Sequence, residues 1–176
     1  MGNLERFKID LKGLKSEETS FDFGLDDDYF QAIGATEVKG GSLSTTLVVR
    51  KTAGVFELTF HTEGMATVTC DVCLDDMSQE VATDNKVVAR FGDEFMENGD
   101  DIIVPAEEGI IDVSWLIYEF IVLAIPTKHV HEEGECNPAM LEKLEQLSST
   151  QATDDDAEAP IDPRWRELEK LKSTIK

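Results

Sequence analysis

Basic residues and long hydrophobic runs are both scarce in this sequence, and each scarcity argues against a class of function. Only 16 of the 176 residues are Lys or Arg against 37 Asp or Glu, which gives a formal charge of −21 at pH 7. Because such a surface repels phosphate, we do not expect indiscriminate binding to nucleic acid. The longest apolar run, Trp115 to Ile125, contains Glu119 and is about half of the ~20 residues that a bilayer crossing requires. We therefore expect a buried helix here and no association with a membrane.

Cysteine is also scarce, and the N-terminal residues do not look like a secretory signal. Residues 1–12 mix acidic and basic side chains with apolar ones, whereas a signal has a charged start followed by an apolar stretch. Three cysteines in such a chain do not form the disulfide framework of a small secreted protein. We therefore expect a reducing, cytoplasmic environment, in which the cysteines are free thiols or metal ligands.

The sequence contains no familiar arrangement of catalytic groups. It shows no acid and base paired around a nucleophile, and no glycine-rich loop of the kind that holds phosphate. We therefore expect a protein that is not an enzyme and that has no small-molecule substrate.

Alternation of apolar and β-branched residues with polar ones predicts antiparallel strands in the first two thirds of the chain. A short hairpin turn is expected at residues 52–54, and Gly64 is expected to form a bulge or turn between two strands. The expected strands are residues 7–14, 42–51, 55–63, 65–69, 80–91 and 102–104. The predicted fold class is α+β: a largely antiparallel sheet or partly open barrel packed by one buried helix, with short C-terminal helices.

Capping signals place the helices. A run of three aspartates, residues 26–28, is expected to open a short helix, because acidic side chains stabilise the positive end of the helix dipole. Asp112 is expected to cap the buried helix, with Ile111 and Leu116 packing together across its start, and Pro126 is expected to end it. Within this helix, Trp115 and Tyr118 are interpreted as core residues.

The predicted organisation is one globular α+β domain over residues 1–147, followed by two smaller segments. Asn137-Pro138 and Asp162-Pro163 each have the composition of a helix start. Residues 148–160 are polar and acidic, with no apolar side chain larger than alanine, and are interpreted as a flexible linker. Residues 161–176 are interpreted as an amphipathic, basic C-terminal helix.

Cysteine and histidine residues form the most specific pattern. Cys70 and Cys73 have the C-x-x-C spacing that lets two thiolates bind one tetrahedral metal ion, and His129, His131 and Cys136 follow far downstream. Three cysteines and one histidine would suit a structural zinc ion, with either histidine as the fourth ligand. Reduced thiols that merely lie near one another are the alternative. A redox role is disfavoured, because the neighbouring acids Asp71, Asp75 and Asp76 should raise the pKa of the thiols.

The C-terminal segment is the one net-positive part of the chain. Together with an aromatic ring its cations could dock a phosphate and a base, although a solvated helix face with the ring packed inward is the simpler interpretation. The candidate residues for binding RNA or a partner are Arg164, Trp165, Arg166, Lys170 and Lys172.

Several short segments occur in an informative order: Cys70-Asp71-Val72-Cys73-Leu74, Ile111-Asp112, Leu123-Ala124-Ile125-Pro126, His131, Cys136 and Asp162-Pro163-Arg164-Trp165. In order and separation they resemble the YceD family of large ribosomal RNA subunit accumulation proteins. The resemblance extends from about Thr67 to the C-terminus, and the N-terminal third is similar only in its β character. It implies that Cys70, Cys73, His131 and Cys136, without His129, are the ligand set. Many members carry arginine where this chain has Val72, so an RNA contact by that arginine is in doubt here.

What the resemblance implies is a bacterial cytoplasmic ribosome biogenesis factor needed for accumulation of large-subunit ribosomal RNA. Two mechanisms are open. The protein binds precursor RNA through a local basic or metal-organised patch, or its acidic surface escorts a basic ribosomal protein; the net charge favours the second. The alternative function is a zinc-stabilised protein-interaction domain with no ribosomal role, because fold resemblance does not determine function.

Overall fold

The computed structural model describes residues 4–147, which fall into two units. The first unit runs to Asn137 and the second begins at Pro138. After a 3₁₀ turn at Leu4–Phe7, the elements of the first unit are β1 (Lys8–Asp10), β2 (Glu18–Leu25), α1 (Asp27–Ile33), β3 (Gly40–Thr52), β4 (Val55–Thr69), β5 (Asp76–Gly92), β6 (Met96–Asn98), β7 (Asp101–Pro105), β8 (Ile110–Asp112) and α2 (Ser114–Ala124). The second unit contributes α3 (Pro138–Leu147), which begins at Pro138 as predicted. The predicted linker and basic helix, residues 148–160 and 161–176, lie outside the described residues.

One open sheet dominates the first unit. Its strand order is β2-β3-β4-β5-β7-β6, and every neighbouring pair is antiparallel except β5 with β7. Strands β1 and β8 form a separate antiparallel pair. The predicted α+β class with a largely antiparallel sheet is confirmed, and the sheet is not closed into a barrel.

The β3–β4 hairpin shows one confirmed expectation and one wrong one. Ala53 and Gly54 connect the strands with φ of 48° and 85°, as a two-residue turn with both central residues at positive φ requires. Gly64, expected to separate two strands, instead lies within the single strand β4. Its φ is 141°, and a Cβ there would stand 2.4 Å from the carbonyl oxygen of Ser42. Glycine at this position therefore allows β3 and β4 to approach closely without interrupting the ladder.

The N-terminal region departs from expectation in two places. The strand predicted at residues 7–14 shortens to Lys8–Asp10, while Glu18–Leu25, assigned no strand from the sequence, forms the edge strand β2. Helix α1 is confirmed. Asp26 is its N-cap, with its carboxylate accepting a hydrogen bond from the Tyr29 N–H at 3.1 Å.

Helix α2 packs on the sheet and completes the core. Its Phe120 ring meets Phe60 of β4 edge-on at 5.2 Å between centroids, and Ile117 and Ile121 are buried. The hydroxyl of Tyr29 in α1 donates to the Ser114 carbonyl oxygen at 2.8 Å, and burial raises the pKa of Tyr29 well above its usual range. This phenol therefore stays neutral and ties α1 to the start of α2.

The start of α2 differs from the prediction by one residue. Val113 occupies the N-cap position and makes no side-chain cap, while Asp112 ends β8 and accepts from the Ser114 N–H at 2.9 Å. Asp112 is therefore not at the predicted N-cap position, although its carboxylate still accepts from an N–H group at the start of the helix.

The predicted end of α2 is confirmed, whereas one of its two predicted core residues is exposed. Helix α2 ends before Pro126, and Ile125 adopts the extended conformation favoured by a residue that precedes proline. Tyr118 is buried as expected, but Trp115 is half-exposed, contrary to the prediction of a core residue. Within the described range, no helix combines the length and apolar character needed to span a bilayer.

The outward face of the sheet is polar, and His61 titrates on it. His61 Nδ1 lies 2.8 Å from Asp84 Oδ1, and Nε2 lies 3.6 Å from Glu63 Oε2. The hydrogen bond to Asp84, its charge and the nearby Glu63 carboxylate raise the pKa of His61 above 6.5.

We expect this raised pKa to be visible by NMR titration of the imidazole. Since the folded pKa exceeds the unfolded one, the ion pair stabilises the fold fully below about pH 6.5, and that contribution is lost as pH rises through the folded pKa. Asp84→Asn is expected to lower the His61 pKa, with Asp93→Asn as a control that leaves it unchanged. A His61 pKa that does not respond to Asp84→Asn would contradict the assignment.

Candidate metal centre

The first two candidate ligands belong to a tight turn between β4 and β5. Cys70 directly follows β4, and Cys73 lies in the turn before β5 begins. The Leu74 N–H donates to the Cys70 carbonyl oxygen at 3.0 Å, and the Cys70 N–H donates to the Asp75 carbonyl oxygen at 2.9 Å. Leu74 has a φ of 63°, unusual for a residue with a large side chain. The backbone thus folds back within the C-x-x-C segment and holds both cysteines in one turn.

The other two candidates lie in the loop that follows Pro126, and this loop is fastened to the turn. The Asp71 N–H donates to the His129 carbonyl oxygen at 3.0 Å, and the His129 N–H donates to an Asp71 carboxylate oxygen at 2.8 Å. The Asn137 side-chain amide donates to the Asp75 carboxylate at 3.0 Å. These contacts flank His131 and Cys136 on both sides and bring them to the cysteine turn.

The structure brings Cys70, Cys73, His131 and Cys136 together. Their ligand atoms all lie within 4.8 Å of one another. Cys70 Sγ is 3.9 Å from Cys136 Sγ, and His131 Nδ1 is 3.3 Å from Cys73 Sγ and 3.9 Å from Cys136 Sγ. Metal–sulfur bonds of about 2.3 Å in a tetrahedron place two sulfurs about 3.8 Å apart. The observed separations therefore fit one tetrahedral metal ion.

Burial and donor chemistry favour a closed, structural site. Cys70 and Cys73 are buried, while His131 and Cys136 are partly exposed. Four protein ligands fill a tetrahedron and leave no position for a substrate or an activated water, unlike catalytic sites with three protein ligands. The arrangement can therefore hold a turn and a loop together, and it offers no open coordination position for catalysis.

The thiols differ in their readiness to ionise. Burial by itself raises the pKa of Cys70, but N–H groups of Cys73, Val72 and His131 outweigh it and lower the pKa to about 5. Burial and the neighbouring thiols raise the pKa of Cys136 to about 11. Hydrogen bonding to Cys70 raises the pKa of His131. Cys70 is therefore the thiol that ionises most readily, whereas Cys136 would have to release its proton when a metal ion binds.

The lowered pKa of Cys70 contradicts the expectation from the neighbouring acids. Asp71 and Asp75 accept hydrogen bonds from the loop, and Asp76 forms an ion pair with Lys39. Backbone N–H donors, which sequence spacing does not reveal, decide the ionisation of Cys70 instead. Asp71 and Asp75, which sequence reasoning did not assign to the site, hold the loop against the turn. Their positions beside the cysteines were the signal available in the sequence.

Of the remaining candidates, only His129 belongs to the described residues. His129 is outside the cluster, since its Nδ1 lies 3.0 Å from the Pro126 carbonyl oxygen and its Nε2 faces Asp71 at 3.9 Å. Of the two histidines left open by spacing, the structure therefore places His131 at the site. The five candidates of the basic tail fall outside the described residues: Arg164, Trp165, Arg166, Lys170 and Lys172.

Comparison with known proteins identifies the family. A family model described as "Large ribosomal RNA subunit accumulation protein YceD" matches residues 58–172, a span that includes all four residues of the cluster. No curated protein and no solved structure gives a significant match. Because the matched span covers well over half of the chain, the protein belongs to the YceD family of large ribosomal RNA subunit accumulation proteins.

Proposed function

We propose that this protein is a non-enzymatic ribosome biogenesis factor of the bacterial cytoplasm that supports accumulation of large-subunit ribosomal RNA by escorting a basic ribosomal protein. The family supplies the ribosomal role. The observation that carries the mechanism is electrostatic: acidic residues outnumber basic ones 37 to 16, and carboxylates pair with five of the eleven Lys and Arg side chains in residues 4–147, those of Lys8, Lys39, Arg50, Lys86 and Arg90.

Four cations on or beside the sheet pair with carboxylates. Arg50 contacts Glu18 at 2.7 Å, Arg90 contacts Asp101 at 2.7 Å, Lys86 contacts Glu57 at 2.7 Å, and Lys39 pairs with Asp76. Two further cations, Arg6 and Lys12, donate to backbone carbonyl oxygens. To bind RNA phosphates, the four cations paired with carboxylates would have to give up those partners, whereas a basic protein meets the excess of acids directly.

The role we propose for the metal centre is structural, with zinc as the metal. Zinc prefers thiolate and imidazole ligands, is redox-inert and accepts a tetrahedron. The ion would be held by Cys70, Cys73, His131 and Cys136, and would lock the loop after α2 to the β4–β5 turn.

Direct binding of precursor RNA remains the second candidate, because Arg164, Arg166, Lys170 and Lys172 flank Trp165 in the C-terminal segment. A pull-down with the tagged full-length chain, with and without ribonuclease, distinguishes the two. We expect basic ribosomal proteins to remain bound after ribonuclease treatment. Loss of all partners after treatment would contradict escort and favour RNA binding. A chain truncated after Pro160 serves as the comparison, since it should lose RNA but retain the protein partner.

The ribosomal role itself is tested separately from its mechanism. We expect a deletion strain to show a smaller large-subunit peak in ribosome profiles. A normal peak would favour a zinc-stabilised interaction domain without a ribosomal role.

A further inference from the structure

A groove runs along the side of α2 that carries Trp115 and Leu123. Its first part, a cavity of about 470 Å³, is lined by Thr36, Glu37, Trp115, Tyr118, Glu119 and Leu123. Glu37, Val122 and Leu123 also line an adjoining cavity of about 290 Å³ that reaches Pro126 and His129. We call the two together the α2 groove. It ends beside the loop that carries His131 and Cys136.

Large apolar side chains are exposed in the α2 groove. Trp115 is 50% exposed and Leu123 is 79% exposed, whereas Ile117 and Ile121 on the opposite side of the helix are buried in the core. A helix that is apolar on all sides is normally covered on all sides. Exposed tryptophan beside exposed leucine is typical of a surface that binds another molecule.

Hydrogen bonds fix both walls of the α2 groove. On one wall, the Trp115 indole N–H donates to a Glu119 carboxylate oxygen at 2.7 Å. On the other, the N–H groups of Thr36 and Glu37 donate to the Tyr118 hydroxyl oxygen at 3.2 and 3.3 Å. Because these contacts already order the walls, a ligand meets a formed surface and loses less entropy on binding.

The charges of the α2 groove select the ligand. Among the described residues that line it, Glu37 and Glu119 are the acids and none is Lys or Arg; His129 lies at the far end, beside Asp71. A cation over the exposed face of Trp115 would gain a cation–π contact together with the Glu119 carboxylate. Phosphate would be repelled, and so would a second copy of a chain with a charge of −21.

We propose that the α2 groove binds a segment of a protein partner that is rich in Arg and Lys and that inserts one large apolar side chain between Trp115 and Leu123. The inference rests on the proposed escort of a basic protein and names the surface that performs it. The two carboxylates hold the cations of the segment, and the exposed apolar side chains cover its anchor.

The test uses a fluorescent synthetic peptide of Arg and Lys with one central Leu, titrated against the full-length chain. Trp115→Ala is expected to weaken binding by about tenfold, the effect of losing a central interface tryptophan. Glu37→Gln/Glu119→Gln is expected to weaken it and to flatten its salt dependence. Glu94→Gln/Glu97→Gln at the β6 edge removes the same charge away from the groove and is expected to change little. Leu123→Ser, at the most exposed position, provides a second variant should Trp115→Ala unfold.

Three results would overturn the groove. The first is that the groove and β6 double variants lose the same amount of peptide affinity. The second is that a peptide whose Leu is replaced by Ser binds as tightly as the original. The third is that the wild type self-associates and that Leu123→Ser abolishes this self-association. If Trp115→Ala and Leu123→Ser retain their partners in full in the ribonuclease-treated pull-down, the groove is not the binding surface, although the proposed escort of a basic protein still holds. If the wild type retains no protein partner, the proposed escort is contradicted, while the peptide titration still decides whether the groove binds a basic segment.

Discussion

Cys73→Ser is expected to release the metal. Protein purified without chelators should carry about one zinc ion per chain, and the variant close to none, because a tetrahedral site that loses one of its thiolates loses most of its affinity. At a free metal concentration 1,000 times the Kd, binding stabilises the folded state by about 4.1 kcal/mol. A chelator should therefore lower the unfolding temperature of the wild type and leave that of Cys73→Ser unchanged.

The sheet is expected to survive this loss. The hydrophobic core cluster is built largely from side chains of the sheet, α1 and α2, and none of the four ligands belongs to it. Far-ultraviolet circular dichroism of Cys73→Ser should therefore match that of the wild type. His129→Ala is the matched control and should retain the metal, since the His129 ring lies outside the cluster. Wild-type protein without metal, under reducing conditions, would contradict the site.

Gly64→Ala is expected to destabilise the fold by about 3 kcal/mol, as a strained φ combined with a backbone clash does. The new Cβ would stand 2.4 Å from the Ser42 carbonyl oxygen and 2.6 Å from Leu43 Cα. Both atoms belong to the β3 ladder and cannot move without breaking its hydrogen bonds. Urea unfolding of the two proteins measures the difference.

Gly24→Ala is the matched control for this substitution. Gly24 also lies in a strand, but its φ is not in the positive range and no atom lies within 4 Å of the Cβ it would gain. Alanine there should be neutral or should stabilise the protein by up to about 1 kcal/mol, because it restricts the unfolded chain. Equal losses for the two variants would show that the close approach of β3 and β4 is wrong.

Elements with local signals were predictable from the sequence. The β3–β4 turn needed a residue that accepts positive φ, as Gly54 does, α1 needed an aspartate at its N-terminus, and α3 needed a proline at its first position. Each of these requirements can be read from a few neighbouring residues. Spacing also suggested which cysteines could share a metal ion.

The features that sequence reasoning missed depend on partners distant in the chain. The strand β2 alternates Phe21, Phe23 and Leu25 with polar or small residues, but its first half is polar, and its pairing with β3 establishes the whole strand. Parallel pairing of β5 with β7 leaves no local signal. Trp115 was assigned to the core because a helix that is apolar on all sides has no periodicity to show which side faces inward. Spacing alone left both His129 and His131 open, whereas the family resemblance implied His131, which is the histidine that the structure brings to the cluster.

The candidate metal centre joins Cys70 and Cys73 to His131 and Cys136, which lie at the two ends of a long chain segment that contains β5 to β8 and α2. Closing so long a loop in an unfolded chain is entropically costly, so full coordination favours a chain whose sheet has already formed. Metal capture should then be one of the last steps of maturation. A cell short of the metal would accumulate protein with an intact sheet, in which hydrogen bonds alone hold the loop at the end of the α2 groove.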